Sequence, residues 1–291
     1  MTCKLQPFNG MSIFGNGADG VGPALGGVWT QSEYNFTSWA ITGNILLNTS
    51  VSSGFTIRVM GNFSMTGAGN IQATPDAVGA TDWGGATDGT WAAGGVAGAA
   101  NGVTLDRTTI MSNQLFTSWY QAGYGNAADG SKGFGGTRLT LLVGGTVTID
   151  ATDSDKINLN GGGSASYASG GGGGGIVCIV SGTGITATGA NYAVKAQGYN
   201  GRSGLTTHYG GGGGGGGAVI FMAPVINGIT LSINHQTNRG SGGTSTFAGA
   251  ESSGGGGGSF AAGGAGGSVA HPAGYDGNYG QVYSLLIPPI L

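Results

Sequence analysis

Apolar positions in this chain fall into short runs with a two-residue period, each bounded by glycine or asparagine. Phe55-Thr-Ile-Arg-Val-Met60 is followed by Phe63-Ser-Met65, and Leu139-Thr-Leu-Leu-Val143 by Gly144-Gly145 and then Val147-Thr-Ile149. The same pairing returns as Ile176 to Val180 with Ile185-Thr-Ala187, and as Ala218 to Met222 with Ile229-Thr-Leu-Ser-Ile233. Val282-Tyr-Ser-Leu-Leu-Ile287 is a last, single run. Alternation with β-branched enrichment between turn formers predicts β-strands. No run has helical spacing, and glycine every few residues would cost a helix about 1 kcal/mol each. Almost no α-helix is expected.

The leading runs start at 55, 139, 176 and 218, at intervals of 84, 37 and 42 residues. The first interval is about twice the others, as if an atypical unit lay between. Phe36-Thr-Ser-Trp39 recurs as Phe116-Thr-Ser-Trp119, a second echo of duplication. A period near 40 residues points to a stacked or bladed β architecture. Positions 76–102 and 120–136 read as irregular excursions from them.

Polyglycine separates the later runs: Gly170 to Gly175, Gly210 to Gly217, and Gly254 to Gly258. Isolated glycine tracts are flexible linkers. Here the first two lead straight into apolar strands and recur at similar places in each unit, which favours ordered packing. Helices of polyproline-II type have no internal hydrogen bonds, so their amides need partners on neighbouring segments, and glycine lets backbones close in.

Composition sharpens this picture. Glycine supplies 68 of 291 residues and charged residues only 7%, yet aromatic residues reach 9%. Disordered chains are poor in aromatic and β-branched residues, so the material for a core is present in small parcels. A net charge of -3, with nine Lys and Arg scattered, lacks the basic stripe of a nucleic-acid binder. The longest apolar run, Ala218 to Ile226, is far below the roughly 20 residues of a membrane helix, so no membrane insertion is expected. The amino terminus, MTCKLQPFNG, has no apolar stretch of signal-peptide length. Cys3 and Cys178 make no disulfide framework, and Cys178, within Ile176-Val177-Cys178-Ile179-Val180, reads as a small buried hydrophobe.

The alternation of Gly170–175, Gly210–217, Gly254–258 and Gly263-Gly264-Ala265-Gly266-Gly267 with polar, aromatic-bearing loops resembles glycine-rich receptor-binding adhesins at the tail-fibre tips of T-even-like phages. The likeness is compositional and covers roughly residues 160 to 280. It implies stacked polyglycine helices forming a rigid sandwich, with the intervening loops contacting host outer-membrane proteins. The amino-terminal half looks more like a wider class of glycine-rich phage appendage proteins, in which a turn such as Gly17-Ala-Asp-Gly20 precedes strand ladders like Ile45 to Thr49 and Phe55 to Met60. Those strands depart from the tip adhesins, leaving a shaft, spike or head-attached fibre as other positions.

Candidate chemistry is sparse. Asp150, Asp153 and Asp155 are the densest carboxylates, able in principle to ligate Ca²⁺ or to form a glycosidase acid pair, though a solvated turn explains them as well. Asp-Gly pairs at 19, 88, 129 and 276 are turn formers. His208, His235 and His271 share no metal-ligand spacing, and neither a G-x-S-x-G elbow nor a P-loop lysine occurs. Tyr199, Arg202, His208, Tyr209, Arg239, Phe247, Tyr275 and Tyr279 sit in Gly/Ser/Asn-rich loops, the palette of a paratope. The same rings could instead seal the glycine stack.

The expected fold is all-β, a short-strand β-solenoid or sandwich-like layering combined with packed polyglycine-II-type helices. Residues 1–160 form its strand-rich part and 161–291 its glycine-rich part. The expected function is non-enzymatic: a virion protein of a phage tail fibre, spike or other appendage, without cofactor or resident metal, assembled in the host cytoplasm. Its expected partners are other virion proteins, further copies of itself (a trimer among the forms), and a host-surface protein or glycan. Rivals are a capsid decoration or head-fibre protein without receptor, a polysaccharide depolymerase, and a bacterial surface filament or ice-binding protein.

Overall fold

The computed structural model describes residues 13–48, 54–74, 136–163, 170–204, 209–228, 235–245 and 273–288. Every regular element among them is a β-strand, and no helix long and apolar enough to cross a membrane occurs among these residues. The strands come in successive threes. β1 (Val21–Gly22), β2 (Val28–Trp29) and β3 (Glu33–Phe36) make the first coil, then β4 (Ser38–Ile41), β5 (Asn44–Asn48) and β6 (Phe55–Val59) the second. β7 (Phe63–Met65), β8 (Asn70–Thr74) and β9 (Arg138–Val143) form the third, and β10 (Thr146–Asp150), β11 (Ile157–Asn158) and β12 (Ile176–Ser181) the fourth. β13 (Gly184–Thr188), β14 (Val194–Lys195) and β15 (Ala218–Ala223) follow, and β16 (Ile226–Asn227), β17 (His235–Gln236) and β18 (Gln281–Leu286) close the series.

Each strand pairs with the strand three places on, always in parallel, giving three six-stranded sheets. We refer to them as sheet A (β1-β4-β7-β10-β13-β16), sheet B (β2 through β17) and sheet C (β3 through β18). The result is a solenoid-like stack. Parallel register places like on like: Ile57 beside Leu141, Leu141 beside Ile179, Ile179 beside Phe221.

Alternation explains the core. β5, β6, β10 and β13 bury every second residue, sending Ile45, Leu47, Ile57, Val147, Ile149 and Ile185 inward. Each such side chain contributes about 1.5–3 kcal/mol when taken out of water. β12 and β15 are buried at every position, so the middle of sheet C is covered on both faces, as unbroken apolar strands require. Its outer face carries a second cluster of Leu142, Ile176, Cys178, Val180, Ile220 and Met222, joined by Phe14. Burial pushes the Cys178 thiol up to about 12, the behaviour expected of a small hydrophobe. At the first coils a ring cluster fills the interior: Trp39 stacks on Trp29 at 5.1 Å and tilts against Phe63 at 5.2 Å. Lys156 is wholly buried, its ammonium donating to the Gly67 carbonyl and to Ser154 Oγ, which ties the fourth coil to the turn before β8.

Two sequence expectations change. No extra coil stands in the stack between the runs that start at 55 and 139, because β6 pairs directly with β9; the added length lies between β8 and β9, where 75–135 is outside the described residues. The recurrent pair of runs is two sides of a three-sided coil. The third side, sheet B, includes strands of only two residues, too short to produce a periodic signal. Of the fourth unit's second run, 229–233 lies outside the described residues, and the sheet A strand of that coil is β16. Pairing of β9 with β12, β10 with β13 and β11 with β14 carries all three sheets across position 160. What changes beyond that point is the appearance of polyglycine tracts in the connections from sheet B to sheet C.

Candidate functional site: the glycine-rich excursions

In the fourth to sixth coils the connection from sheet B to sheet C leaves the stack and returns. Residues 159–163 lead out and 170–175 lead back, as do 196–204 and 209–217, then 237–245 and 273–280. The returning leg 209–217 is enclosed by the others. Gly211, Gly214 and Gly217 N–H groups donate to the carbonyls of Arg202, Tyr199 and Ala196 at 2.9, 2.8 and 2.8 Å. Gly213 and Gly216 donate to Tyr275 and Asn278 at 2.9 and 2.8 Å. The carbonyls of Gly212 and Gly215 accept from Gly171 and Gly174, both at 2.9 Å, and those of Gly214 and Gly211 accept from Gly240 and Gly243, both at 2.7 Å. Each neighbour is addressed every third residue.

Close approach explains the glycine. A Cβ on Gly210, Gly213 or Gly216 would lie 1.9–2.1 Å from the carbonyl oxygens of Gly243, Gly240 and Thr237. On Gly214 and Gly217 it would lie 2.1 and 1.8 Å from those of Gly172 and Gly175. Backbone meets backbone, so no side chain can move aside. The tracts Gly170–175 and Gly210–217 are therefore packed, as the sequence suggested, whereas Gly254–258 and Gly263–267 lie outside the described residues.

The legs carry several of the expected contact residues on their outer surfaces. Tyr279 is 61% exposed, and Tyr199 and Tyr275 are each 47% exposed; Arg202 is exposed as well. Three residues form a group. Arg239 Nη2 pairs with Asp276 Oδ2 at 2.8 Å while its guanidinium carbon sits 4.9 Å from the Tyr279 ring centroid. Asp276 Oδ1 accepts the Gly242 N–H at 2.9 Å, so the carboxylate holds both legs of the third excursion. Around them, Asn200 Oδ1 accepts the Ser241 N–H at 2.8 Å, and Ser203 and Thr244 hydroxyls meet at 3.0 Å. Tyr209 is a correction to the contact group: at 2% exposure it is buried and takes the sealing role. His208 and Phe247 lie outside the described residues.

The sequence marks Asp276 only as a turn former. The signal that could have identified it is spacing: in a segment with a three-residue period, 276 and 279 share an edge. Asp19, by contrast, behaves as read, in a turn where Gly17 and Gly20 take φ of +67° and +72° and the Gly20 N–H donates to the Gly17 carbonyl.

The Asp150, Asp153 and Asp155 carboxylates do not gather around a common point. Asp150 accepts from the Thr152 hydroxyl and N–H and from the Thr188 hydroxyl, whereas Asp155 accepts from the Tyr192 N–H and from Lys195 Nζ at 3.1 Å. Among the described residues no group of three or more His, Cys, Asp or Glu could hold a metal ion. The Thr152 hydrogen bonds hold the Asp150 carboxyl below its ordinary 3.8. Its stabilising contribution is present above the unfolded value and lost as pH falls through the lower folded one. Asp150→Asn is expected to remove that part of the acid transition, read as a flatter dependence of melting temperature on pH below about 4.

The chain was compared with protein-family models, with curated proteins and with solved structures, and none of the three comparisons finds a match.

Proposed function

We propose that this chain is a structural adhesin of a phage particle, in a tail fibre, spike or other appendage, whose excursions present binding residues to a host-surface protein or glycan. The three-residue hydrogen-bond period and the carbonyl approach at every third glycine support reading the excursion legs as packed polyglycine-II-type helices. Close Cα–H···O contacts add to such packing. A stack of this kind is rigid without a large core. Its partners in the particle would be other virion proteins.

One observation carries the binding reading: Arg239, Asp276 and Tyr279 form an exposed, mutually fixed group on backbone that is itself hydrogen-bonded. Tyr and Arg are the usual anchors of interfaces, and prior ordering of their backbone lowers the entropy lost on contact. Catalysis would ask for converging titratable groups, and the one carboxylate of this group, Asp276, is spent on orientation.

The test is retention of the purified chain on a panel of whole Gram-negative cells. On a cell type that retains the wild-type chain, Tyr279→Ala is expected to weaken retention about thirtyfold, the equivalent of a 2 kcal/mol anchor. Arg239→Ala should weaken it too, by releasing both Asp276 and the ring. Retention on no cell type, or retention that neither substitution changes, would discard the adhesin reading for this surface.

A further inference from the structure

The two ends of the stack are finished differently. At the first coil the outer edge of β3 is taken: the Asn35 N–H donates to Asp19 Oδ2 at 2.7 Å and the Asp19 N–H donates to the Asn35 carbonyl at 2.8 Å. Behind that edge the interior is filled by Trp29, Phe36 and Trp39. At the other end β18 is the last strand of sheet C. Its Gln281 N–H donates to the Gly217 carbonyl, and the Ile287 N–H just beyond it donates to the Ala223 carbonyl, both at 3.1 Å. Alternation then turns the N–H and C=O groups of Val282, Ser284 and Leu286 away from β15. Register places Val282 beside inward-facing Val219, so 282, 284 and 286 also carry the interior side of the last coil. Leu286 is nonetheless 73% exposed.

A six-residue edge strand normally carries Lys, Pro or a bulge against pairing. Gln281–Leu286 carries no charge and no proline. We infer that β18 is an interface for a second copy of this chain, paired antiparallel across a two-fold axis at Ser284. In that register Ser284 faces its own equivalent, and Val282 of each copy faces Leu286 of the other. All three outward-facing residues become hydrogen-bonded pairs, and the apolar partners cover one another. No like charges oppose, and a two-fold interface closes on itself with one kind of contact. Sheet C of one copy thus continues into sheet C of the next.

The test uses the full chain. Light scattering is expected to give twice the 28.3 kDa chain mass. Ser284→Pro removes an outward N–H without touching the bonds to β15, and should return the mass to that of a single chain with an unchanged circular dichroism spectrum. Should proline disturb β18, Ser284→Lys serves instead, because it sets two ammonium groups against each other on the axis. In a Cys3→Ser background, Ser284→Cys should form a covalent dimer on mild oxidation, since paired residues of this kind lie about 5.5 Å apart at Cα, within disulfide reach. A single-chain mass for the unmodified protein would overturn the proposal. So would an oligomer that survives both substitutions, or the absence of the Ser284→Cys cross-link. None of these readings involves binding to cells, so failure here is distinct from failure of the adhesin reading.

Discussion

Gly217→Ala is expected to destabilise the folded chain by on the order of 3 kcal/mol, the upper part of what overpacking costs. Its new methyl would fall 1.8 Å from the Gly175 carbonyl oxygen, and with the next two contacts also backbone, at 2.9 Å, relief requires two legs to separate. The matched control is Gly27→Ala, where a Cβ meets nothing within 4 Å and the effect should stay within about 0.5 kcal/mol. Chemical denaturation of both variants makes the comparison. Amide exchange over 210–217 provides a second readout: slow in the parent chain, and faster in Gly217→Ala at the legs that must part. Equal stabilities for the two variants would mean that the tracts are not packed against one another.

Trp39→Ala is expected to cost about 4 kcal/mol, in the range for a fully enclosed aromatic ring. Trp39 is 1% exposed, lies against Trp29 and Phe63, and donates its indole N–H to the Pro23 carbonyl at 3.0 Å. Gly22 fits beneath it only because it lacks a side chain: a Cβ there would come within 2.2 Å of the Trp39 ring. Deleting the ring leaves a cavity at the end of the stack where few coils remain to collapse into it. Urea denaturation with tryptophan fluorescence of the remaining indoles reads the loss. Trp39→Phe, which keeps most of the contact, should recover more than half of it.

These two positions show unequal legibility in the sequence. Sheet C was readable because β9, β12 and β15 are six-residue apolar strands whose starts fix the repeat. Sheet B was not, because β11 and β14 offer Ile157 and Val194 as single inward residues, and one residue has no period. Glycine packing was legible only through recurrence. The finer evidence was present in the order Gly198, Gly201, Gly204 against Asn238, Ser241, Thr244, three residues apart on both legs, whose N–H to carbonyl bonds run at 2.8–2.9 Å. Extracting it required knowing that the two legs are neighbours. The residues proposed for contact are readable as types, but burial of Tyr209 and the bridging of Asp276 depend on which edge of a leg each occupies, which composition does not encode.

All the long connections, between β8 and β9, β11 and β12, β14 and β15, and β17 and β18, fall at one corner, where sheet B hands over to sheet C. Turns at the other two corners stay short. A lineage of such chains could therefore lengthen, shorten or exchange its displayed segments while the remaining corners, and the register they set, stay untouched. Doubling the length of a flexible connection costs only about 0.6 kcal/mol. On the adhesin reading proposed above, recognition could then diversify rapidly on a frame that has no need to evolve with it.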